Sequence, residues 1–198
     1  MILYVETNFP MSIATGRDPE ASTLLLSTPA SVRLVIPSVC YMEALSALDA
    51  DLKARRRFNN ELDIRLSDAR RNLSSQYARS LGFHLEQARI ENKKLTDEVK
   101  ESLFEALTQL ARKAESIALS GETLQASLRQ NIAEDPTDDL ILQCILDHAR
   151  LYPAEVKVFL SGNSNDFDTQ SVREALRNAG VENYFNRTQN FLNWLQLQ

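Results

Sequence analysis

Ile2-Leu3-Tyr4-Val5, met at once by Glu6, is the stretch whose reading decides the fold. All four residues are apolar or aromatic, with none of the alternation that one solvated face imposes, so the run suits a parallel strand buried on both faces. That strand ends at Glu6, which leaves an acid at its carboxyl tip. Working outward, residues 19–28 read as a helix with Leu24 and Leu25 toward the core, and Arg33-Leu34-Val35-Ile36 as a second short strand closed by Pro37. Ser38 then stands where an N-cap is needed for a helix through Ala44, Leu45 and Leu48. Two strand-to-helix units this close together argue for a βαβ architecture.

The same rhythm returns after Pro136. A helix over about 138–151 leads to Val156-Lys157-Val158-Phe159-Leu160, a second strand apolar enough to be buried, and then to a loop rich in Ser, Gly and Asn. Residues 171–179 read as a helix stopped by Gly180, Asn183-Tyr184-Phe185 as a short edge strand, and residues 189–197 as a closing helix. Between about residues 49 and 131 the pattern is helical: Phe58, Leu62 and Leu66 recur every four residues, and Val99, Leu103, Leu107 and Leu110 share a face. No strand signal appears there; Gly82 can break one helix, Thr96 can cap the next and Gly121 can end it. The expectation is two or three long helices forming a hairpin inserted into the α/β domain, with no strand of the sheet among them.

The 198 residues, 43% hydrophobic and 25% charged, suit one domain with an insertion, and no apolar run approaches a membrane span. An acid at position 6 and no basic leader argue against an export signal, so a cytoplasmic protein without membrane attachment is expected. Cys40 and Cys144 sit among apolar neighbours without metal-ligand spacing, and read as buried reduced thiols. A net charge of −5 does not advertise nucleic-acid binding, yet Lys53, Arg55, Arg56, Arg57, Arg70 and Arg71 gather the basic residues in the helical middle.

In open parallel sheets the functional crevice lies beyond the carboxyl ends of the strands. Four acids fall there: Glu6 past the first strand, Glu43 in the helix after the second, Asp138 at the start of a helix, and Asp166 in the loop after Leu160. Carboxylates gathered in a partly desolvated cleft repel one another unless a cation neutralises them. Oxygen-only ligands select Mg2+ or Mn2+ over zinc, and such an ion can hold a phosphate and activate a water.

Tyr4-Val5-Glu6-Thr7-Asn8, Ile36-Pro37-Ser38 leading to Glu43-Ala44, Asp138-Asp139-Leu140-Ile141, and the run from Phe159 through Ser161, Asn163 and Asp166 to Phe167 occur in the order of the PIN-domain nucleases. The chain resembles that family, including its toxin ribonucleases of the VapC type, over its first and last segments. The resemblance implies a three-layer α/β/α fold with a mainly parallel sheet, one PIN-like domain over residues 1–198, and the helical insertion at about 49–131 as an addition. It implies a Mg2+- or Mn2+-dependent endoribonuclease acting on single-stranded RNA, with an antitoxin or other protein partner and a homodimer among its expected associations. Carried over, Glu6, Glu43, Asp138 and Asp166 become the catalytic and metal-binding acids, with Asn8, Ser161 and Asn163 as polar supports. The family's first acid is usually Asp; here Glu6 adds a methylene and a rotamer to be fixed. Asp139 stays open as a further ligand beside Asp138, as a group behind the ligands, or as a solvent-facing acid.

Each of these residues has a plainer reading. Glu43 can be a solvated helix charge, Asp138 and Asp139 can serve a helix dipole, and Asp166 can be a turn acid beside Asn163 and Asn165. His84 and His148 read as helix-surface histidines, and Trp194 as a core anchor with Phe191 and Leu195. Arg55, Arg56 and Arg57 read either as a helix face paired with Glu61 and Asp63 or as an RNA contact. Two other functions compete with the nuclease: a catalytically weak PIN module that binds RNA or protein, and a Mg2+-dependent phosphatase, for which the first strand tip should carry an Asp nucleophile.

Overall fold

A computed structural model describes residues 1–72, 74–129 and 131–198. Its sheet is built from β1 (Ile2–Val5), β2 (Arg33–Pro37), β3 (Glu115–Ile117), β4 (Lys157–Leu160) and β5 (Val181–Phe185), all parallel, in the order β3-β2-β1-β4-β5. The fold is the three-layer α/β/α arrangement that the resemblance implies. β1 is buried at all four positions, as is β4, because central strands of a parallel sheet are covered on both faces.

The connecting helices are α1 (Asn8–Ala14), α2 (Pro19–Leu26), α3 (Val39–Arg71), α4 (Gln76–Lys113), α5 (Gly121–Arg129), α6 (Pro136–Leu151), α7 (Ser164–Phe167), α8 (Gln170–Asn178) and α9 (Thr188–Leu195). Asp18 caps α2 through the Ala21 N–H, and its other oxygen accepts from the backbone and hydroxyl of Thr188, tying α2 to α9. Trp194 packs, its ring tilted, against Phe185 and Phe191 at the edge of the core, the anchoring role expected of it. Cys40 and Cys144 are buried and unpaired.

The chain divides into two compact units, Met1–Ala44 with Leu103–Gln198, and Leu45–Ser102. The first carries the sheet and both termini. The second is an antiparallel pairing of α3 with α4, in which Asn92 faces Arg55 and Asn59 while Arg70 faces Glu86. Leu48, Leu62, Leu66 and Val99 are its buried apolar residues.

The helical middle departs from expectation at four places. The chain re-enters the sheet as edge strand β3, which pairs with β2, so residues 49–131 are not free of sheet strands. Gly82 lies inside α4, where a β-carbon would make ordinary contact with Ala69 and Leu66 at 3.8 Å; the packed seam holds the helix through it. Thr96 also lies inside α4, its hydroxyl donating to the Asn92 carbonyl at 2.6 Å instead of capping a new helix. Gly121 opens α5 rather than closing α4.

Candidate metal centre

From β1 the sheet is built outward in both directions, toward β2 and β3 on one side and β4 and β5 on the other. The crevice between the carboxyl ends of β1 and β4 is therefore the topological switch point, where open α/β sheets place their ligands. Glu6 leaves β1 at that point and Ser161 leaves β4.

Glu6 is 1% exposed. One of its oxygens, Oε2, accepts the Asn8 backbone N–H at 2.6 Å; the other, Oε1, is buried with no hydrogen-bond partner. Burial pushes this carboxyl up to about 7, against the lowering effect of the Asn8 N–H and the Ser161 hydroxyl and with the charges of Asp138 and Glu43 adding to the rise. Glu43, half-buried in the second turn of α3, accepts the Thr7 hydroxyl, and burial and Asp135 raise its pKa as well. Asp138, in the first turn of α6, accepts the Asn163 side-chain amide at 3.1 Å. Its carboxyl is pushed up to about 7 by burial, then by the charges of Glu43, Asp166 and Asp135. Asp166 comes from α7, the short helix that occupies part of the expected Ser/Gly/Asn loop. Acids distant in sequence thus share one electrostatic neighbourhood, in which the charges of Asp138 and Glu43 disfavour ionised Glu6 and those of Glu43, Asp166 and Asp135 disfavour ionised Asp138.

The expected supports are present with different means. Asn8 supports Glu6 through its backbone while its side chain is exposed. Ser161 is buried, accepts the Asn163 N–H on its hydroxyl at 3.0 Å, and receives the Tyr184 hydroxyl on its carbonyl at 3.0 Å. Thr7, absent from the sequence-derived set, fixes Glu43.

Asp139 does not join the cluster. It is fully buried, and its oxygens accept from the Ser127 hydroxyl at 2.7 Å, the Ile132 N–H at 2.6 Å and the Ala133 N–H at 3.2 Å. Adjacent residues on a helix diverge by about 100°. Asp138 therefore meets the crevice while Asp139 fastens the segment between α5 and α6. Asp135 is the acid that sequence reading passed over. Its Oδ1 caps α6, accepting from the Thr137 N–H at 2.7 Å and the Asp138 N–H at 3.2 Å, and its charge reaches both Glu43 and Asp138. A helix-start aspartate before Pro136 was the available signal.

His148, expected on a helix surface, is buried. Helix α6 is covered along most of its circumference, and the imidazole lies between the Tyr4 hydroxyl at 2.9 Å and the Glu115 carboxylate at 3.0 Å. His84 is exposed, as expected.

The donors fit a hard divalent cation: all are carboxylate oxygens, and the orphaned Glu6 Oε1 is a buried acceptor without a partner. Among the described residues no three acidic, His or Cys side chains stand at the spacing of a finished metal cage. Mg2+ does not demand one, since it keeps several waters and takes one or two carboxylates directly.

The family model for the PIN domain matches residues 3–167. The chain belongs to the PIN-domain family. PIN domains are generally nucleases that use divalent metal ions, and the matched span contains Glu6, Glu43, Asp138 and Asp166. No curated protein and no solved structure matches the chain. Among the described residues no helix is long and apolar enough to cross a membrane.

Proposed function

We propose that this PIN domain is a metal-dependent endoribonuclease, with Glu6, Glu43, Asp138 and Asp166 holding Mg2+ or Mn2+ at the β1–β4 crevice. The observation that carries the reading is the buried, unpartnered Oε1 of Glu6 amid acids that repel one another. Burying like charges without a counter-ion costs stability, and a site that retains them is arranged for a cation. Bound there, such an ion supplies a Lewis acid for the scissile phosphate and an activated water.

The chain's own residues do the positioning. Thr7 holds the Glu43 carboxylate, Asn163 holds that of Asp138, and the Asn8 N–H fixes one oxygen of Glu6, so that the other would be left to hold a cation. Ser161, locked by Asn163 and Tyr184, keeps the start of the loop after β4 in place. Single-stranded RNA is the favoured substrate because its backbone can bend into a recessed acidic crevice.

The test is cleavage of a single-stranded RNA pool in Mg2+ or Mn2+, with EDTA as control. Asp138→Asn and Asp166→Asn should each lower the rate by about a thousandfold, the several kcal/mol a misplaced catalytic ion costs. Retained cleavage in both variants would exclude the proposed centre. A second reading, a PIN module that binds without cutting, is favoured by Glu6 in place of the usual Asp and by the open spacing of the acids. Stoichiometric Mn2+ binding without RNA cleavage would select it.

A further inference from the structure

We propose that the helical hairpin of α3 and α4 carries an anion site that grips the phosphodiester backbone of single-stranded nucleic acid, with Arg56 and Lys100 as its contacting cations. The proposal deepens the nuclease reading by giving the polymer a second point of attachment, and rests on it for the identity of the polymer.

Charge is unevenly divided between the two units. Residues 45–102 carry twelve Lys and Arg against ten Asp and Glu, whereas the rest of the chain carries ten against seventeen. A polyanion is therefore repelled by the unit that holds the acidic crevice and not by the hairpin. Within the hairpin most basic side chains are already engaged: Lys53 with Asp49, Arg65 with Glu61, Arg70 with Glu86, Arg89 with Asp63, and Lys94 with Glu91. These pairs leave little net field of their own.

A cavity of about 240 Å3 opens beside Arg56, lined by Arg55, Arg56, Asn59, Thr96, Asp97 and Lys100. Arg55 is half-spent, its Nε donating to Asp51 at 2.6 Å and a terminal nitrogen reaching the Asn92 side chain at 3.4 Å. That network holds the floor: Asn92 also donates to Asn59 at 2.9 Å, so the polar layer between the helices is fixed before any ligand arrives. Arg56 is exposed and has no hydrogen-bond or ion-pair partner among the described residues. Its guanidinium is the group best suited to two phosphate oxygens, and Lys100 supplies a point charge from the other helix. Asp97, three residues before Lys100, lowers the local charge and so disfavours a dianionic monoester relative to the single charge of a phosphodiester. The paired-helix-face reading expected for these arginines fails in detail: Arg55 uses Asp51, while Glu61 and Asp63 are taken by Arg65 and Arg89.

The experiment uses the full chain in EDTA and a fluorescent single-stranded oligouridylate, titrated across a salt series. Arg56→Gln with Lys100→Gln should weaken binding by about tenfold and reduce the slope of log affinity against log salt by about 1.4, the release expected for two contacts to a single strand. Arg56→Lys should restore most of the slope, since it returns the charge without the fork. Arg57→Gln is the control, because Arg57 is equally unpartnered but lies outside the cavity. Unchanged affinity and slope in the double variant, or an equal loss in Arg57→Gln, would overturn the site. Inorganic phosphate or a nucleoside monophosphate that binds in an Arg56-dependent way, without RNA binding, would overturn the polymer assignment. The two readings fail separately: Arg56-dependent binding without metal-dependent cleavage refutes the nuclease and leaves the hairpin site, and the reverse result refutes the hairpin site alone.

Discussion

The two ends of the sheet handle charge in opposite ways. At the amino ends of the strands the partners are complementary. Lys157 donates to the last carbonyls of α6, Ala149 at 3.1 Å and Tyr152 at 2.7 Å, while Gly180, at a φ of +83°, leaves room where a β-carbon would come within 2.9 Å of that ammonium. Beside it Arg33 joins Glu115 and Glu155 and lies over the Tyr152 ring, and Glu115 reaches His148. At the carboxyl ends Glu6, Glu43, Asp138 and Asp166 share a sign, and an oxygen of Glu6 has no partner. The lesson is that buried charge alone marks nothing; buried charge whose neighbours fail to compensate it marks a site waiting for a ligand.

That contrast can be broken by exchanging one group at each end. Lys157→Met strands two carbonyls, so it should cost about 2 kcal/mol of folding stability and leave Mn2+ affinity unaltered, as read by denaturant melts and a Mn2+ titration. Asp139→Asn separates structure from chemistry within the carboxyl end. Its carboxylate accepts from three donors, so the variant should lose about 2 kcal/mol of stability and retain Mn2+ binding. A drop in Mn2+ affinity with stability unchanged would return Asp139 to the metal centre.

The pH response sharpens the comparison further. Glu6 and Asp138 stand at about 7 in the fold against ordinary values of 4.5 and 3.8. A carboxyl raised by folding stabilises the protein while protonated, and that contribution is lost as the pH climbs through the folded value. Metal-free protein should therefore lose thermal stability between about pH 4 and pH 7, and saturating Mn2+, which binds the ionised form, should flatten the decline. The smallest expected effect is at Asp135. Asn caps helices about as well as Asp, so Asp135→Asn should leave melting within a few tenths of a kcal/mol and weaken Mn2+ binding slightly through lost charge. A large loss in either measurement would give Asp135 a greater share of the centre than its cap allows.

Much of the fold was legible because β1, Leu34-Val35-Ile36 of β2 and Val158-Phe159-Leu160 of β4 are apolar runs, as burial on both faces favours. Strand β3 was not, since Glu115-Ser116-Ile117 is a three-residue edge strand with no fully buried position, and its place follows from pairing with β2 rather than from its own pattern. Gly82 and Thr96 misled for a related reason: a seam packed between two long helices overrides the local preference of single residues. The proximity of Glu6, Glu43, Asp138 and Asp166 was legible through their strand-tip placement and motif. The choice between Asp138 and Asp139 was not, because adjacent helical positions differ only in direction. The burial of His148 was hidden likewise: in the last turn of α6, it meets Tyr4 and Glu115 from elements far away in the chain.

The most direct test of the metal centre is a Mn2+ titration of Glu6→Gln beside the unmodified protein, with the melting temperature of each measured free of metal. The orphaned Oε1 and the raised carboxyl predict weaker Mn2+ binding together with an equal or higher metal-free melting temperature, since the substitution removes one of several clustered like charges. Mn2+ binding as tight as in the unmodified protein would contradict the account and remove Glu6 from the site.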